Sequence, residues 1–588
     1  SSIIDIDNTG LIKTLKIYKD EVMISDISDS NTFSFINLEK NTSYRIYVEY
    51  EYDLNDGDTK KIISLDKLVK TKFLEFGSGT DIDPYVIKSV EDLSDIKFGL
   101  AAVYKLANDL NLEGINWTPI APDFYSSFSG KFDGQGFTIN NLTIKGTYNL
   151  AGLFGSTSMS LIKNLNLSNV DIDVTGSIDG DIYVGSFIAY NSGFVENLHA
   201  LSGTIIGRKR ADKKGYFGGL IGIHSTPTIY QNTSLSDFSN YLEVTGVGNS
   251  NSSTGGIFGR VINNVWVDNS FNYGSVSGEN YVGGFIGEGN GISITNSENS
   301  GNINGQSYVG GMIGNGNSPR ITNSTNSGNV NGQSYVGGMI GNGNSPSIID
   351  SMNSGFVFGS YGVGGLIGNG NPSITNSINS GSVSGQDNVG GLIGYGYYTI
   401  NIINSINLGN VAGSSRRVGG LIGSGDSTTI TNSMNKGNIS GFTRVGGLIG
   451  YGDSTTISKS MNIGSVSGEN RVGGLIGDIG ENLSTNLFVY YSINFGHVST
   501  PTMGTDIGGI AGRLASQNDF EHAYHYAIIT GNGVEVTGNN FGIKVTDSST
   551  LNLEFFSTTL EWYTEVWDFN QLDVAIGVYP TLKNLPNI

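Results

Sequence analysis

The sequence predicts an all-β chain: a parallel β-helix solenoid with a small N-terminal β-sandwich. Three observations carry that prediction. The first is a phrase that returns as VGGFIG at Val282, VGGMIG at Val309 and Val336, and VGGLIG at Val363, Val389, Val418, Val445 and Val472, at intervals of 27, 27, 27, 26, 29, 27 and 27 residues. A period that constant marks stacked structural repeats. The second is the content of one unit, VGGMIGNGNSPRITNSTNSGNVNGQSY from Val309 to Tyr335, where β-branched residues sit between Gly, Asn and Ser. Each Gly in a helix interior would cost about 1 kcal/mol against Ala, so the apolar-centred runs read as strands, three to a coil. The third is that like residues recur in register. Stacked coils then pair in parallel, and crossover chirality predicts right-handed winding.

Two aliphatic columns can be read directly. Ile294, Ile321, Ile349, Ile374, Ile403 and Ile430 are assigned to one, and Val276, Ile303, Val330, Val357, Val383, Val411, Ile439 and Val466 to the other. With the Val and Ile of the repeated phrase, each coil should bury four or five aliphatic side chains, at roughly 1.5 to 3 kcal/mol apiece before chain entropy is subtracted. Polar residues stack as well. One Asn position runs through Asn269, Asn296, Asn323, Asn376, Asn404 and Asn432, interrupted by Asp350 and Lys459. A second runs through Asn272, Asn299, Asn326, Asn353, Asn379, Asn407, Asn435, Asn462 and Asn494. Amides at strand spacing can bond along the axis, and Asn tolerates the left-handed backbone of a corner. Both columns therefore read as structural ladders, with a ligand surface as the alternative.

The VGGLIG phrase with its trailing Asn-Ser and Gly-x-Val resembles the GLUG repeat, from about Leu150 to Gly512, with looser copies at Leu150, Val184, Phe217, Thr254 and Ile507. The resemblance implies a secreted or surface-bound protein, mostly bacterial. Such repeats occur in adhesin-like proteins and in the non-catalytic N-terminal region of streptococcal IgA1-cleaving zinc metallopeptidases. The repeat is defined by sequence and implies no activity.

Composition narrows the classes. The chain has 588 residues, 87 of them Gly, and no Cys, which removes disulfides, thiolate catalysis and Cys-ligated metals together. No apolar run reaches the roughly 18 residues of a membrane span, and the chain opens on Ser1-Ser2 instead of a basic and apolar leader, so a secreted form would have lost its signal. The net charge of −20 lies at the ends: residues 282–475 hold seven acids and seven bases, residues 1–113 hold 21 against 13, and residues 476–588 hold 12 against three. A neutral shaft with acidic ends offers no footprint for nucleic acid.

Five segments follow. Residues 1–74 lack the period, and LEKNTSYRIYV from Leu38 to Val48 is similar to the tyrosine corner of fibronectin type III modules. Within them Asp53, Asn55, Asp56 and Asp58 lack EF-hand spacing and read as a hairpin turn and not a calcium loop. Residues 75–149 form the N-terminal cap and first irregular coils, with Val90 to Ala102 as the candidate capping helix. Residues 150–281 are coils with loop insertions, 282–477 the regular coils, and 478–588 the last irregular coils with an aromatic cap. In that cap Phe556, Trp562, Trp567, Phe569 and Tyr579 are expected to plug the final coil, with a glycan platform as the alternative.

The motif search for catalysis gives little. The histidines are His199, His224, His497, His522 and His525; there is no HExxH, and EHAYH from Glu521 to His525 has the wrong order for a zincin. No nucleophile elbow, phosphate loop or GGxGxD calcium repeat is present. Asp171, Asp173, Asp179 and Asp181 are the candidate carboxylates if the chain were a carbohydrate-active β-helix. The candidate contact site is the insertion GRKRADKKG, with Arg208, Lys209, Arg210, Lys213 and Lys214 around Asp212, whose mutual repulsion an anionic partner would relieve. The expected function is a non-enzymatic extracellular stalk, adhesin-like, that contacts host or cell-surface protein or glycan without cofactor, metal or membrane insertion. The alternatives are the substrate-recruiting region of an IgA1-type metallopeptidase, and a structural subunit of a surface layer or fibre joined end to end.

Overall fold

The computed structural model describes residues 4–5, 14–19, 22–27, 32–33, 42–53, 59–70, 74–225, 233–248, 251–480, 486–501, 506–514, 517–526, 528–531, 534–535 and 542–586. The chain divides into two units, Ser1–Asn108 and Asp109–Ile588.

In the first unit an antiparallel sheet runs in the order Val22–Ile27, Thr14–Lys19, Ser43–Asp53, Thr59–Lys70. A separate antiparallel pair joins Ile4–Asp5 to Thr32–Phe33. Tyr44, the residue of the expected corner, is buried. Residues 54–58, which include three of the four residues weighed for calcium, lie outside the described residues. Further on, Tyr85–Ile87 and Val103–Leu106 pair in parallel. The helix Val90–Asp95 crosses between them; Ser89 caps it by accepting from the Asp92 N–H, while the Asp92 carboxylate accepts from the Ser89 N–H. The expected helix is real but shorter than Val90 to Ala102: a single 3-10 turn, Ile96–Phe98, follows and Gly99 closes it.

The second unit is a parallel β-solenoid. Its short strands stack into a 13-stranded sheet, a 15-stranded sheet and a third, longer one, among the described residues. One coil shows the plan: Ser307–Gly310 in the first sheet, Ile313–Asn317, Arg320–Thr322 and Thr325–Asn326 in the longest, and Val330–Asn331 in the 15-stranded one. Five strands per coil replace the three expected from sequence. The extra breaks are single left-handed residues, Ser318 at φ 51° and Asn323 at φ 47°, each of which turns the chain without ending the sheet.

The coil buries Val309, Ile313, Ile321 and Val330 completely, as the sequence led us to expect, and Met312 with them. The column from Val276 to Val466 is likewise buried throughout. The isoleucine column needs correction at two places. Ile348, not Ile349, pairs with Ile321 and Ile374, and Ile402, not Ile403, pairs with Ile374 and Ile430. Each buried isoleucine stands two residues before the left-handed corner residue; the second Ile of each doublet, next to that corner, faces outward, and Ile403 is 38% exposed. The Leu150 copy also shifts by one, since Ala151 and not Leu150 aligns with Val184.

The two Asn columns differ in kind. The first lies outside: Asn269, Asn296, Asn323, Asp350, Asn376, Asn404, Asn432 and Lys459 all hold φ between 45° and 49°. The backbone position is thus fixed by the coil, and Asp350 and Lys459 keep its geometry. The second column is internal. From Asn240 through Asn272, Asn299, Asn326, Asn353, Asn379, Asn407, Asn435, Asn462 and Asn494, every side chain is fully buried, and each Nδ2 donates to the next Oδ1 at 2.6 to 2.8 Å. The second Nδ2 hydrogen goes to the carbonyl two residues on, as from Asn326 to Gly328 at 2.8 Å. The second Gly of VGG makes room for it: a Cβ on Gly311 would stand 2.0 Å from the Gly338 carbonyl oxygen and 2.5 Å from Asn326 Cγ. A parallel serine ladder, unnoticed in the sequence, runs beside it. The N–H of Ser324 donates to Ser351 Oγ at 3.2 Å, and the Ser324 hydroxyl donates to the Thr322 carbonyl at 2.8 Å.

The aromatic C-terminus covers a side of the solenoid. From Met352 onward the residue before each ladder Asn turns apolar, as Ile378, Ile406, Met434, Met461 and Ile493, and forms one cluster with Leu551, Phe556, Leu560, Trp562 and Trp567. Trp562 Nε1 donates to the Tyr491 carbonyl at 2.9 Å, and its ring stacks on Trp567 at 4.2 Å. Lys459, the substitution in the outer ladder, meets Glu561 at 3.9 Å and lies 4.0 Å from the centre of the Tyr563 ring, so the ladder departs from Asn where the C-terminal segment docks.

Candidate functional site

The five bases from Arg208 to Lys214 follow the strand Gly203–Arg208, which stacks on Val170–Thr175 of the preceding coil. That register brings acids next to bases. Arg208 pairs with Asp173, Lys145 with Asp171 at 2.6 Å, and the Lys214 N–H donates to Asp181 Oδ1 at 2.8 Å. Lys209 is buried to 8% exposure, its Nζ on the carbonyls of Arg210 and Ala211 at 3.4 Å. Arg210 Nε donates to the Gly176 carbonyl at 3.2 Å, and Lys213 meets Asp212 at 3.3 Å. The basic insertion and two members of the Asp171–Asp181 group, separate candidates in the sequence, thus meet between successive coils, through the Arg208–Asp173 ion pair and the backbone hydrogen bond from Lys214 to Asp181. Asp171 and Asp173 do share a face, but each is matched with a cation, which is the arrangement of a surface ion pair and not of a carboxylate dyad.

A groove of about 520 Å³ lies on the outer ladder, between Asn164, Asn197, His199, Asp237, Asn269 and Phe271. Asn197 Nδ2 donates to Asn164 Oδ1 at 2.8 Å, which aims its carbonyl at His199 Nε2, 2.6 Å away; Nε2 therefore carries the proton and Nδ1 accepts from Ser239 Oγ at 2.8 Å. Burial pushes the imidazole below its usual range, so it is neutral at neutral pH. A hydroxyl, an imidazole and an amide in hydrogen-bond reach resemble a nucleophile with its base. Acyl transfer would also need amide donors aimed beside the hydroxyl. Ser239 lies in ladder pairing with His199 on one side and Phe271 on the other, so the local backbone is committed to the sheet. EHAYH gives no metal set: His522 packs on Tyr491 at 5.1 Å, His525 is buried, and among the described residues no group of three His, Asp or Glu could hold an ion.

A third surface follows the residue before each VGG. Tyr281, Tyr308 and Tyr335, all left-handed, stack at 5.1 and 5.3 Å, and burial raises the hydroxyl pKa of Tyr281 and Tyr335. Farther along, the position is taken by Arg417, Arg444 and Arg471. Arg444, Arg471 and Arg513 converge on the fully buried Asp478 at 2.9, 3.0 and 2.7 Å, and Arg444 lies 4.9 Å from the Tyr451 ring centre. The sequence signal for this stripe was the identity of that one residue, read per repeat.

No family model matches the chain. Halomucin of Haloquadratum walsbyi is 35% identical over 239 residues, 37% of this chain and 2% of that protein. A provisionally named Gly-rich membrane protein of Evansella cellulosilytica is 32% identical over 132 residues, 21% of this chain and 15% of that protein. The chain therefore spans only a small part of either relative. Among solved structures, a provisionally assigned immunoglobulin A1 protease from Bacteroides ovatus aligns over 87% of this chain and 95% of its own at 14% identity, with a TM-score of 0.22. An IgA1 protease aligns over 67% of this chain and 28% of its own at 15% identity, with a TM-score of 0.28. Superpositions at that level carry no argument about activity. Among the described residues no helix is long and apolar enough to cross a membrane.

Proposed function

We propose that the chain is a non-enzymatic extracellular shaft whose repeated coils present binding surfaces to protein or glycan outside the cell. The observation that supports it is the internal ladder from Asn240 to Asn494, in which every buried amide is satisfied within the coil stack. Cohesion of this kind is one-dimensional and internal. Many outward positions are then free to vary without loss of the internal ladder, and tyrosine, arginine, phenylalanine and the basic insertion occur among them. The GLUG-type repeat and the fibronectin-like N-terminal segment belong to this reading as features of adhesin-like surface proteins.

Screening the full chain against arrays of cell-surface glycans and proteins, with product analysis of every ligand bound, tests the reading. Binding without turnover is expected. Cleavage of a bound glycan or protein by the purified chain would overturn the non-enzymatic assignment, and absence of any ligand on both arrays would overturn the binding role. In the alternative role, as the recruiting region of a secreted metallopeptidase, the ligands would be confined to a single protein substrate.

A further inference from the structure

Within the regular coils the outer face of the 15-stranded sheet departs from its own pattern at one place. On either side of each buried Val or Ile, neighbouring strands present small or amide side chains: Asn302 and Asn304, Asn329 and Asn331, Ser382 and Ser384. Between the last two pairs stand Phe356 and Phe358, flanking the buried Val357 and 41% and 46% exposed. Their rings are nearly parallel, 19° apart with centroids at 6.4 Å. No internal packing explains two large apolar side chains here, because their outward-facing neighbours are polar and the column beneath is already filled by Val357.

A groove of about 430 Å³ joins these rings to the amides of the two preceding coils. The Phe356 N–H donates to Asn329 Oδ1 at 3.0 Å and the Asn329 N–H to Asn302 Oδ1 at 3.1 Å, which fixes both side chains and leaves their Nδ2 groups uncommitted. Among the described residues, the side-chain amides of Asn304 and Asn331 make no hydrogen bond within the chain, their backbones being held in the sheet. The lining has no ionisable residue. Parallel aromatic rings beside rows of uncommitted amides, with no charge, match a pyranose: its C–H face is apolar and its hydroxyls both donate and accept. A ligand without polar groups, such as an acyl chain, would leave the amides unsatisfied, and a phosphate backbone would find no cation. Successive amide rows lie one coil apart, about 4.8 Å, close to the length of one sugar in an extended glycan.

We infer that this groove binds a neutral glycan chain, with sugar rings against Phe356 and Phe358 and hydroxyls on Asn302, Asn304, Asn329 and Asn331. The inference deepens the proposed binding role and rests on it. Affinity electrophoresis of the full chain in gels containing soluble β-1,4-glucan, β-1,3-glucan, α-1,4-glucan or galactomannan tests it, with polygalacturonate as a charged control. At least one neutral polymer should retard the protein, and the retardation should survive high salt. Phe356→Ser with Phe358→Ser installs the residues found one coil on, at Ser382 and Ser384, so the β-sheet circular dichroism should stay unchanged. That variant should bind at least about tenfold more weakly. Asn331→Ala, on the outer face beside Phe358 and away from the core, should weaken binding as well. No retardation by any neutral polymer, retardation by polygalacturonate alone, or equal retardation of parent and double variant would overturn the site. Cleavage of a retained glucan would instead overturn the non-enzymatic reading and leave the site standing.

Discussion

Replacing Asn326 probes the feature on which the shaft depends. Asn326 Nδ2 donates to the Gly328 carbonyl at 2.8 Å and to Asn353 Oδ1 at 2.7 Å, while its Oδ1 accepts from Asn299 Nδ2 at 2.6 Å. In Asn326→Ala all three partners lose a bond in a place water does not reach. An orphaned buried polar group costs about 1 to 3 kcal/mol. Asn299 keeps its bond to the Gly301 carbonyl and Asn353 remains bonded to Asn379, so the lower half of that range applies to each. Over the three partners the sum is about 3 to 6 kcal/mol. Asn326→Asp keeps the shape but turns a donor into an acceptor facing two acceptors, so it should cost more than Ala at neutral pH and recover part of the loss in acid. Because repeat arrays open locally, the readout is hydrogen exchange over residues 299–355, compared with a distant coil. Protection in Asn326→Ala within about 1 kcal/mol of the parent would refute the reasoning and reduce the ladder to a by-product of stacking.

Three further outcomes are expected. Ile348→Asp should unfold its coil, since it buries an uncompensated carboxylate, whereas Ile349→Asp should be tolerated; equal melting of the two would mean the register is misassigned. Removing Val309 to Tyr335 should give a folded chain shorter by about 4.8 Å, measured by small-angle scattering and circular dichroism, and loss of cooperative melting would contradict the solenoid. His224 is fully buried, with Nδ1 2.7 Å from Asn191 Nδ2, and burial pushes its pKa from 6.5 down to about 4. Between those values the unfolded chain takes up a proton that the folded chain refuses. The stability present above 6.5 is therefore lost as pH falls, by about 3 kcal/mol near pH 4. His224→Gln should flatten that slope relative to the parent in denaturant titrations, and an unchanged slope would assign the acid sensitivity elsewhere.

The solenoid was legible because its repeat is nearly constant in length and its Val and Ile positions are unambiguous. Legibility failed where two like residues stood side by side. At Ile348-Ile349 and Ile402-Ile403 hydropathy cannot choose, and the decision belongs to the left-handed residue that follows. The two Asn columns look alike in sequence, but backbone geometry selects Asn323, while buried hydrogen bonding selects Asn326. The basic insertion showed in sequence as uncompensated charge, because Asp173, which pairs with Arg208, is about one coil away. The C-terminal aromatics announced a cap but not its place, which depends on the turn to Met and Ile at the position that begins with Met352. The phenylalanine pair escaped notice because only its exposure separates it from core.

The internal ladder has a direction: each amide donates forward and accepts from behind. A unit copied and inserted between any two coils would present the same acceptor to the coil before it and the same donor to the coil after it. Nothing at the seam would be left unmatched. Gain or loss of a whole unit between Val282 and Gly477 can therefore lengthen or shorten the solenoid in steps of one coil while the ladder stays continuous. The length of the solenoid becomes a quantity that selection can tune without reworking a core, and a site borne on one coil can be displaced along the axis by copying the coils beside it.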